Sequence, residues 1–496
     1  MNKLLIFCLA LVLGLSACSP TVAPPETPAL QPERDSEEEN NTTPEMGTQL
    51  SDEEATRLMY ELSNSDSQQA VDTILAAKDT RFIAVFIELL RINQMGVFRN
   101  AGYNAPLEAL ETLSEQPIGH DWFSWVEWYG TTDLSPPPGF TGWKGKLLSQ
   151  IDPEFGNFLQ DDFPSTIRTE EIVWGGVVVD GIPALDNATM IPAFEANYLI
   201  GDEPVFGIAI NGDNRAYPLR ILDWHEMAND VVGGVPVSLA YCTLCGAGVA
   251  YDGRASNGEE YTFGSSGFLF RSNKLMYDRQ TRTLWNQLTG EPVLGKLAGS
   301  DVKLDLLPVV VSTWDAWLAQ HPDTTVLDIN TGYNRPYNPG AAYGHYFIDE
   351  DTMFPVWQRS NLLRNKDRIY ALEIEDIPKA YPVEILAKEQ VINDTIGQTD
   401  LVLIASRGEV TVTGESQRAG EVFYNAGGEV RAYARMGKTF SPAQNPDTVL
   451  DSAGRVWKIT EEALIGPEGE LAPRINGHLA YWFGWYSFFP QTLLYE

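Results

Sequence analysis

Cys242 and Cys245 stand at the end of the apolar run Pro236-Val-Ser-Leu-Ala-Tyr241, in the turn Cys-Thr-Leu-Cys-Gly246, and they are the residues of this chain best suited to chemistry. A Cys-x-x-Cys turn aims two sulfurs at one point, which suits a metal ion, a disulfide or a redox pair. His225 precedes a segment of strand character expected to run alongside the cysteines, so it is the expected third metal ligand, with Met276 as the fourth. Two thiolates, one imidazole and one thioether favour copper by softness; three ligands and an open position suit a catalytic zinc. The second reading is a non-enzymatic envelope binding module whose Cys242-Cys245 pair is a structural or redox-switchable disulfide. Thioredoxin-like enzymes place such a motif at a helix start, where the dipole lowers a thiol pKa. Here Gly246-Ala-Gly248-Val-Ala-Tyr251 reads as another strand instead, which counts against a thioredoxin-like oxidoreductase.

Further ligand-lining candidates follow the cysteines: Ser265 and Ser266 in Phe263-Gly-Ser-Ser-Gly267, then Asn273, Asp278, Arg279, Trp285 and Gln287. Paired glycines around paired serines suggest a tight loop whose backbone approaches a ligand. The serines lack the Gly-x-Ser-x-Gly elbow of a hydrolase, so no catalytic residue and no reaction are assigned. His120, His321, His345 and His478 are scattered and read as ordinary surface or core residues.

The elements that carry these residues belong to a chain of 496 residues, enough for about three domains. Its 34 Lys and Arg against 68 Asp and Glu give a net charge of -34. Such a charge repels nucleic acid and anionic membrane surfaces. At the N-terminus, Asn2-Lys3, the apolar run Leu4 to Leu15 and small residues before Cys18 read as an export signal spanning residues 1–17. Leu15-Ser-Ala-Cys18 resembles a lipobox, which implies a lipid on Cys18 as the contact with the membrane. Ser19 then favours the outer membrane if the envelope is Gram-negative. Cys8 leaves with the signal and Cys18 carries lipid, so Cys242 and Cys245 are the thiols left to the mature protein. Residues 18–50, rich in Pro, Thr and Glu, form a disordered tether. No later run reaches the roughly 18 apolar residues of a spanning helix.

Ser51-Asp-Glu-Glu54 matches a capping box, and apolar residues recur at helical spacing to Trp128. This predicts a small all-α, HEAT-like domain over residues 51–135, ending at Pro136-Pro-Pro-Gly139 and offering a surface to an envelope protein partner. Its Trp122, Trp125, Trp128 and Tyr129 are expected core. Beyond it the texture is β-rich, and it repeats. Residues 205–241 match 369–405 at 10 identities in 37, and Trp314, Trp317, Pro322 and Thr324 recur as Trp482, Trp485, Pro490 and Thr492. The fold class expected is therefore multidomain: the helical segment, then two homologous β-rich (α+β) domains over 166–330 and 354–496, related by a pseudo-two-fold axis. His225, Cys242 and Cys245 align with Glu389, Ser406 and Glu409, so the thiol site belongs to the first domain alone and the second is degenerate.

His225-Glu226 with Asn229-Asp230, Tyr241-Cys-Thr-Leu-Cys-Gly246, Phe263-Gly-Ser-Ser-Gly267, Met276-Tyr-Asp-Arg279 and the closing Trp-x-x-Trp resemble a family of bacterial and archaeal exported proteins, domain of unknown function 3179. The resemblance covers Ile167 to Asp328 well and Phe354 to Glu496 as the degenerate copy. It implies export without implying an activity. Thr243 stands where the family often has Pro, with the cysteine spacing intact.

Overall fold

A computed structural model of the chain describes residues 49–63, 67–97 and 105–496; the expected signal, Cys18 and the expected tether as far as residue 48 lie outside the described residues. The helical segment begins where the capping pattern places it. Ser51 Oγ accepts from the Glu54 amide at 3.2 Å and opens α1 (Asp52–Glu61). It is followed by α2 (Gln68–Ala77), α3 (Phe82–Gln94), α4 (Ala105–Ser114) and α5 (Trp122–Gly130). Helix α3 is apolar on nearly every face and is buried, with α4 and α5 packed against it. Trp122, Trp125 and Tyr129 are core, while Trp128 is half-buried. The proline-rich turn does not end the helices, since α6 (Phe140–Leu148) and α7 (Phe155–Phe158) follow it. Their Phe140, Trp143, Phe155 and Phe158 share one hydrophobic cluster with Ile172, Phe268, Phe270 and Tyr277 of the first β-rich segment. No described helix is long and apolar enough to cross a membrane.

The rest of the described chain is β-rich, in several sheets. Strand Pro204–Ile210 pairs antiparallel with Asp213–Pro218 from Val205↔Pro218 onward, and Ile369↔Pro382 opens the same register in the C-terminal segment. Met227↔Ala240 and Val391↔Ile404 begin two further matching ladders. Side chains follow suit. Tyr217 donates to Asp230 at 2.7 Å and Tyr381 to Asp394 at 2.6 Å. The indoles of Trp317 and Trp485 each donate to a threonine, Thr324 and Thr492, at 2.9 Å. In the C-terminal segment eight strands form one sheet, and Asn393 on one edge strand grips both backbone atoms of Phe440 on the other, so the sheet is nearly closed.

The largest hydrophobic cluster runs through both β-rich segments, from Phe206, Tyr241, Cys242 and Cys245 to Tyr370, Tyr381, Tyr481 and Trp485. Burial of apolar surface on this scale is the main force holding the two segments together. It places the cysteine turn against the C-terminal segment.

Candidate functional site

Strands Val235–Cys242 and Ala247–Asp252 form an antiparallel hairpin whose last pair is Cys242↔Ala247, so residues 243–246 are its turn and the motif leads into a strand, as its glycines predict. Gly246 has φ 61, and a Cβ there would lie 2.2 Å from Arg368 Nη1. Backbone conformation and close approach both require glycine.

Both cysteines are buried free thiols. The Cys245 amide donates to Cys242 Sγ at 3.4 Å, and the Cys245 thiol lies 2.9 Å from Asn273 Oδ1. Burial pushes the Cys242 thiol up, and the Glu226 carboxylate adds to that, but the neighbouring Cys245 side chain and the Cys245 and Lys274 amides outweigh both, and the net shift is downward. Burial and the adjacent Cys242 hold the Cys245 thiol well above its ordinary range. One thiol is prepared to ionise and its neighbour to stay protonated.

Cys242 lines a cavity of about 470 Å³, open mouth included, together with Glu226, Thr243, Ser265, Lys274 and Tyr343. Glu226 caps helix Leu219–His225 in a left-handed conformation, φ 55, which turns its carboxylate toward the turn. Its Oε1 accepts from Thr243 Oγ1 at 2.9 Å and from the Tyr343 hydroxyl at 3.3 Å. Lys274 Nζ stands 3.4 Å from Glu226 Oε2 and donates to the Glu226 carbonyl at 3.3 Å. A lysine and a glutamate this buried are found almost only as partners.

The outer face of the turn is gripped by residues far along the chain. The Leu244 carbonyl accepts from the Tyr346 hydroxyl at 2.6 Å, that of Cys245 from the Tyr481 amide at 2.7 Å, and that of Gly246 from Arg368 Nη1 at 2.8 Å. Arg368 also donates to the Asn425 carbonyl at 3.1 Å and to the Tyr481 hydroxyl at 3.2 Å. Nearby, burial raises the Asp223 carboxyl to about 8, against the opposing pull of Arg368, and its Oδ1 has no hydrogen-bond partner.

The expected four-ligand metal set is not assembled. His225 ends its helix with Nδ1 donating to the Pro183 carbonyl at 2.8 Å and Nε2 accepting from the Tyr337 hydroxyl at 2.5 Å. Both ring nitrogens are occupied, and burial lowers the imidazole pKa. Among the described residues no group of three or more His, Cys, Asp or Glu is placed to hold a metal ion. Met276 packs in a hydrophobic cluster with Phe263 and Trp285, separate from the one that contains the cysteines.

Of the ligand-lining candidates, Ser265 reaches the cavity and Asn273 reaches Cys245. The others are tied into the fold. Ser266 donates to the Leu275 carbonyl, the Trp285 indole to Asp278, and Gln287 to the carbonyls of Ala240 and Ala247. Arg279 pairs with Asp186 at the surface. At the C-terminal counterparts of the cysteines, Ser406 donates to the Pro446 carbonyl and Glu409 is exposed. Sequence reasoning chose His225, and the structure puts its neighbour Glu226 at the site. Lys274, a charge inside a strand otherwise built for burial, was the signal that could have located this pair.

A family described as "Protein of unknown function (DUF3179)" matches residues 179–492. No curated protein and no solved structure matches the chain.

Proposed function

Because the chain belongs to the DUF3179 family, of unknown function, its activity must be read from the site, and we propose that Cys242 and Cys245 are a redox pair cycling between dithiol and disulfide. The observation that carries this reading is the asymmetry of the pair: Cys242 lines the cavity and accepts from the Cys245 amide at 3.4 Å, whereas Cys245 does not line it and turns its thiol to Asn273 Oδ1 at 2.9 Å. In the cycle the Cys242 thiolate attacks a two-electron oxidant. Cys245 then loses its proton, attacks Cys242 Sγ and displaces the reduced fragment, and an external dithiol restores both thiols. Asn273 suits both states of Cys245. Its Oδ1 accepts from the thiol, and its Nδ2, buried without a partner, would donate to the thiolate after the amide turns over.

In this reading the protein is exported and held to the envelope by lipid on Cys18, with the helical segment as a HEAT-like scaffold or partner surface. The two β-rich segments are copies of one ancestral domain about a pseudo-two-fold axis, a relation supported by their matching registers and the repeated Tyr–Asp and Trp–Thr bonds. The second copy has lost the thiols and serves as the clamp of the first.

Redox titration of the purified full-length protein, followed by alkylation and mass spectrometry of the Cys242–Cys245 peptide, tests the reading. A reversible loss of two hydrogens supports it. If both thiols stay reduced throughout, the reading fails. If copper or zinc copurifies stoichiometrically and is lost in Cys242→Ser, the pair is a metal site instead.

A further inference from the structure

We infer that the oxidant is a small organic hydroperoxide and that the protein reduces it to the alcohol, an inference that rests on Cys242 and Cys245 being a redox pair. Access selects the oxidant. Cys242 is 1% exposed, at a cavity walled by Leu244, Phe268, Leu269, Met353 and Phe354. Thiol–disulfide exchange with a protein needs the attacking sulfur to meet a disulfide that carries main chain on both sides. With Cys242 1% exposed, its sulfur is shielded from a disulfide that carries main chain on both sides, and a peroxide oxygen on a small apolar group is the less hindered partner. The apolar walls favour an alkyl or aryl substituent over the fully hydrated hydrogen peroxide.

The cavity also holds a donor for the leaving oxygen. Lys274 Nζ contacts Glu226 only at 3.3 and 3.4 Å, longer than the roughly 2.7–2.9 Å of a well-formed charge-assisted bond. Its ammonium therefore keeps donor capacity, and it lines the same cavity as Cys242. Cys245, in turn, sits in the same turn, its amide 3.4 Å from Cys242 Sγ and its own Sγ 3.8 Å from the Cys242 carbonyl, so the resolving thiol is held beside the residue it must attack.

The atoms balance. The Cys242 thiolate attacks the terminal oxygen of R–O–O–H, the S–O bond forms and the O–O bond breaks, leaving a sulfenic acid and an alkoxide that takes a proton from Lys274. The Cys245 thiolate then attacks Cys242 Sγ, the S–S bond forms, and hydroxide leaves and is protonated to water by the proton Cys245 gave up. One hydroperoxide and two thiols yield one alcohol, one water and one disulfide, Lys274 regains its proton from solvent, and an external dithiol resets the pair.

The test uses full-length protein and cumene hydroperoxide. Wild type is expected to consume one equivalent and form the Cys242–Cys245 disulfide faster than free cysteine reacts. Cys245→Ser should stop at a sulfenic acid that dimedone traps on Cys242. Lys274→Met should slow the hydroperoxide reaction by about 100-fold or more while leaving Cys242 open to alkylation by iodoacetamide. If cystamine oxidises the pair but cumene hydroperoxide reacts no faster than with free cysteine, this inference falls and the redox pair stands. If neither oxidises it, both fall.

Discussion

The backbone amide of Tyr481 donates to the carbonyl oxygen of Cys245 at 2.7 Å, across more than two hundred residues of chain. With Tyr346 on Leu244 and Arg368 on Gly246, it leaves no carbonyl from 244 to 246 free to move. The cysteine turn is therefore positioned by the C-terminal segment as much as by its own hairpin.

Arg368→Ala should loosen that grip. Hydrogen bonds to a charged group contribute roughly 1.5–3 kcal/mol each, and Arg368 makes them to Gly246, Asn425 and Tyr481. A marked drop in thermal stability is expected, with faster alkylation of both cysteines in the native protein. Arg368→Lys should not restore either property, because an ammonium cannot span three acceptors as the planar fork does.

Gly484→Ala places a single methyl where the structure has no room, since its Cβ would lie 2.6 Å from Cys245 Cβ. Overpacking of this kind costs about 1–3 kcal/mol. Displaced from Asn273 and Cys242, Cys245 should resolve oxidised Cys242 more slowly. Denaturant melts read the first effect and the rate of disulfide formation reads the second.

Alkylation against pH should separate the two thiols. Cys242 ionises below its ordinary value because of the hydrogen bonds it receives, and Cys245 well above. With limiting iodoacetamide near neutral pH, Cys242 should be modified first. Cys245→Ala removes the thiol donor, so the Cys242 profile should move to higher pH.

Asp223→Asn should change how stability depends on pH. The folded carboxyl holds its proton up to about 8, whereas the unfolded one releases it near 3.8. Between those values the folded state binds more protons than the unfolded one, so wild-type stability falls as pH rises through the window. A neutral amide at this position carries no such penalty. The variant should gain on wild type from pH 4 to pH 8, by an amount on the order of a few kcal/mol, and the gap should be constant above that. Chemical denaturation at several pH values measures it.

Much of this was legible in the chain itself. Periodicity showed the helices and Ser51 their start; Gly246-Ala-Gly248 showed that the cysteines lead into a strand; Ala-Tyr-Pro and Trp-x-x-Trp pointed to Tyr217, Tyr381, Trp317 and Trp485, all of which are buried. These signals are local, set by side-chain period, caps and turn residues within a few positions.

Where a side chain points at the end of a helix is decided otherwise. His225 and Glu226 are neighbours in sequence, yet a left-handed step at Glu226 sends one toward Pro183 and Tyr337 and the other to the cysteine cavity. Lys274, Tyr343, Arg368 and Tyr481 reach the turn only once the β-rich segments bury their shared core. The sequence alone determined that two thiols lie close together in a turn that leads into a strand. Tertiary packing decided their company: long-range burial selected a carboxylate, an ammonium and a clamp of distant donors instead of an imidazole and a thioether, because no local pattern encodes which residues meet across a core.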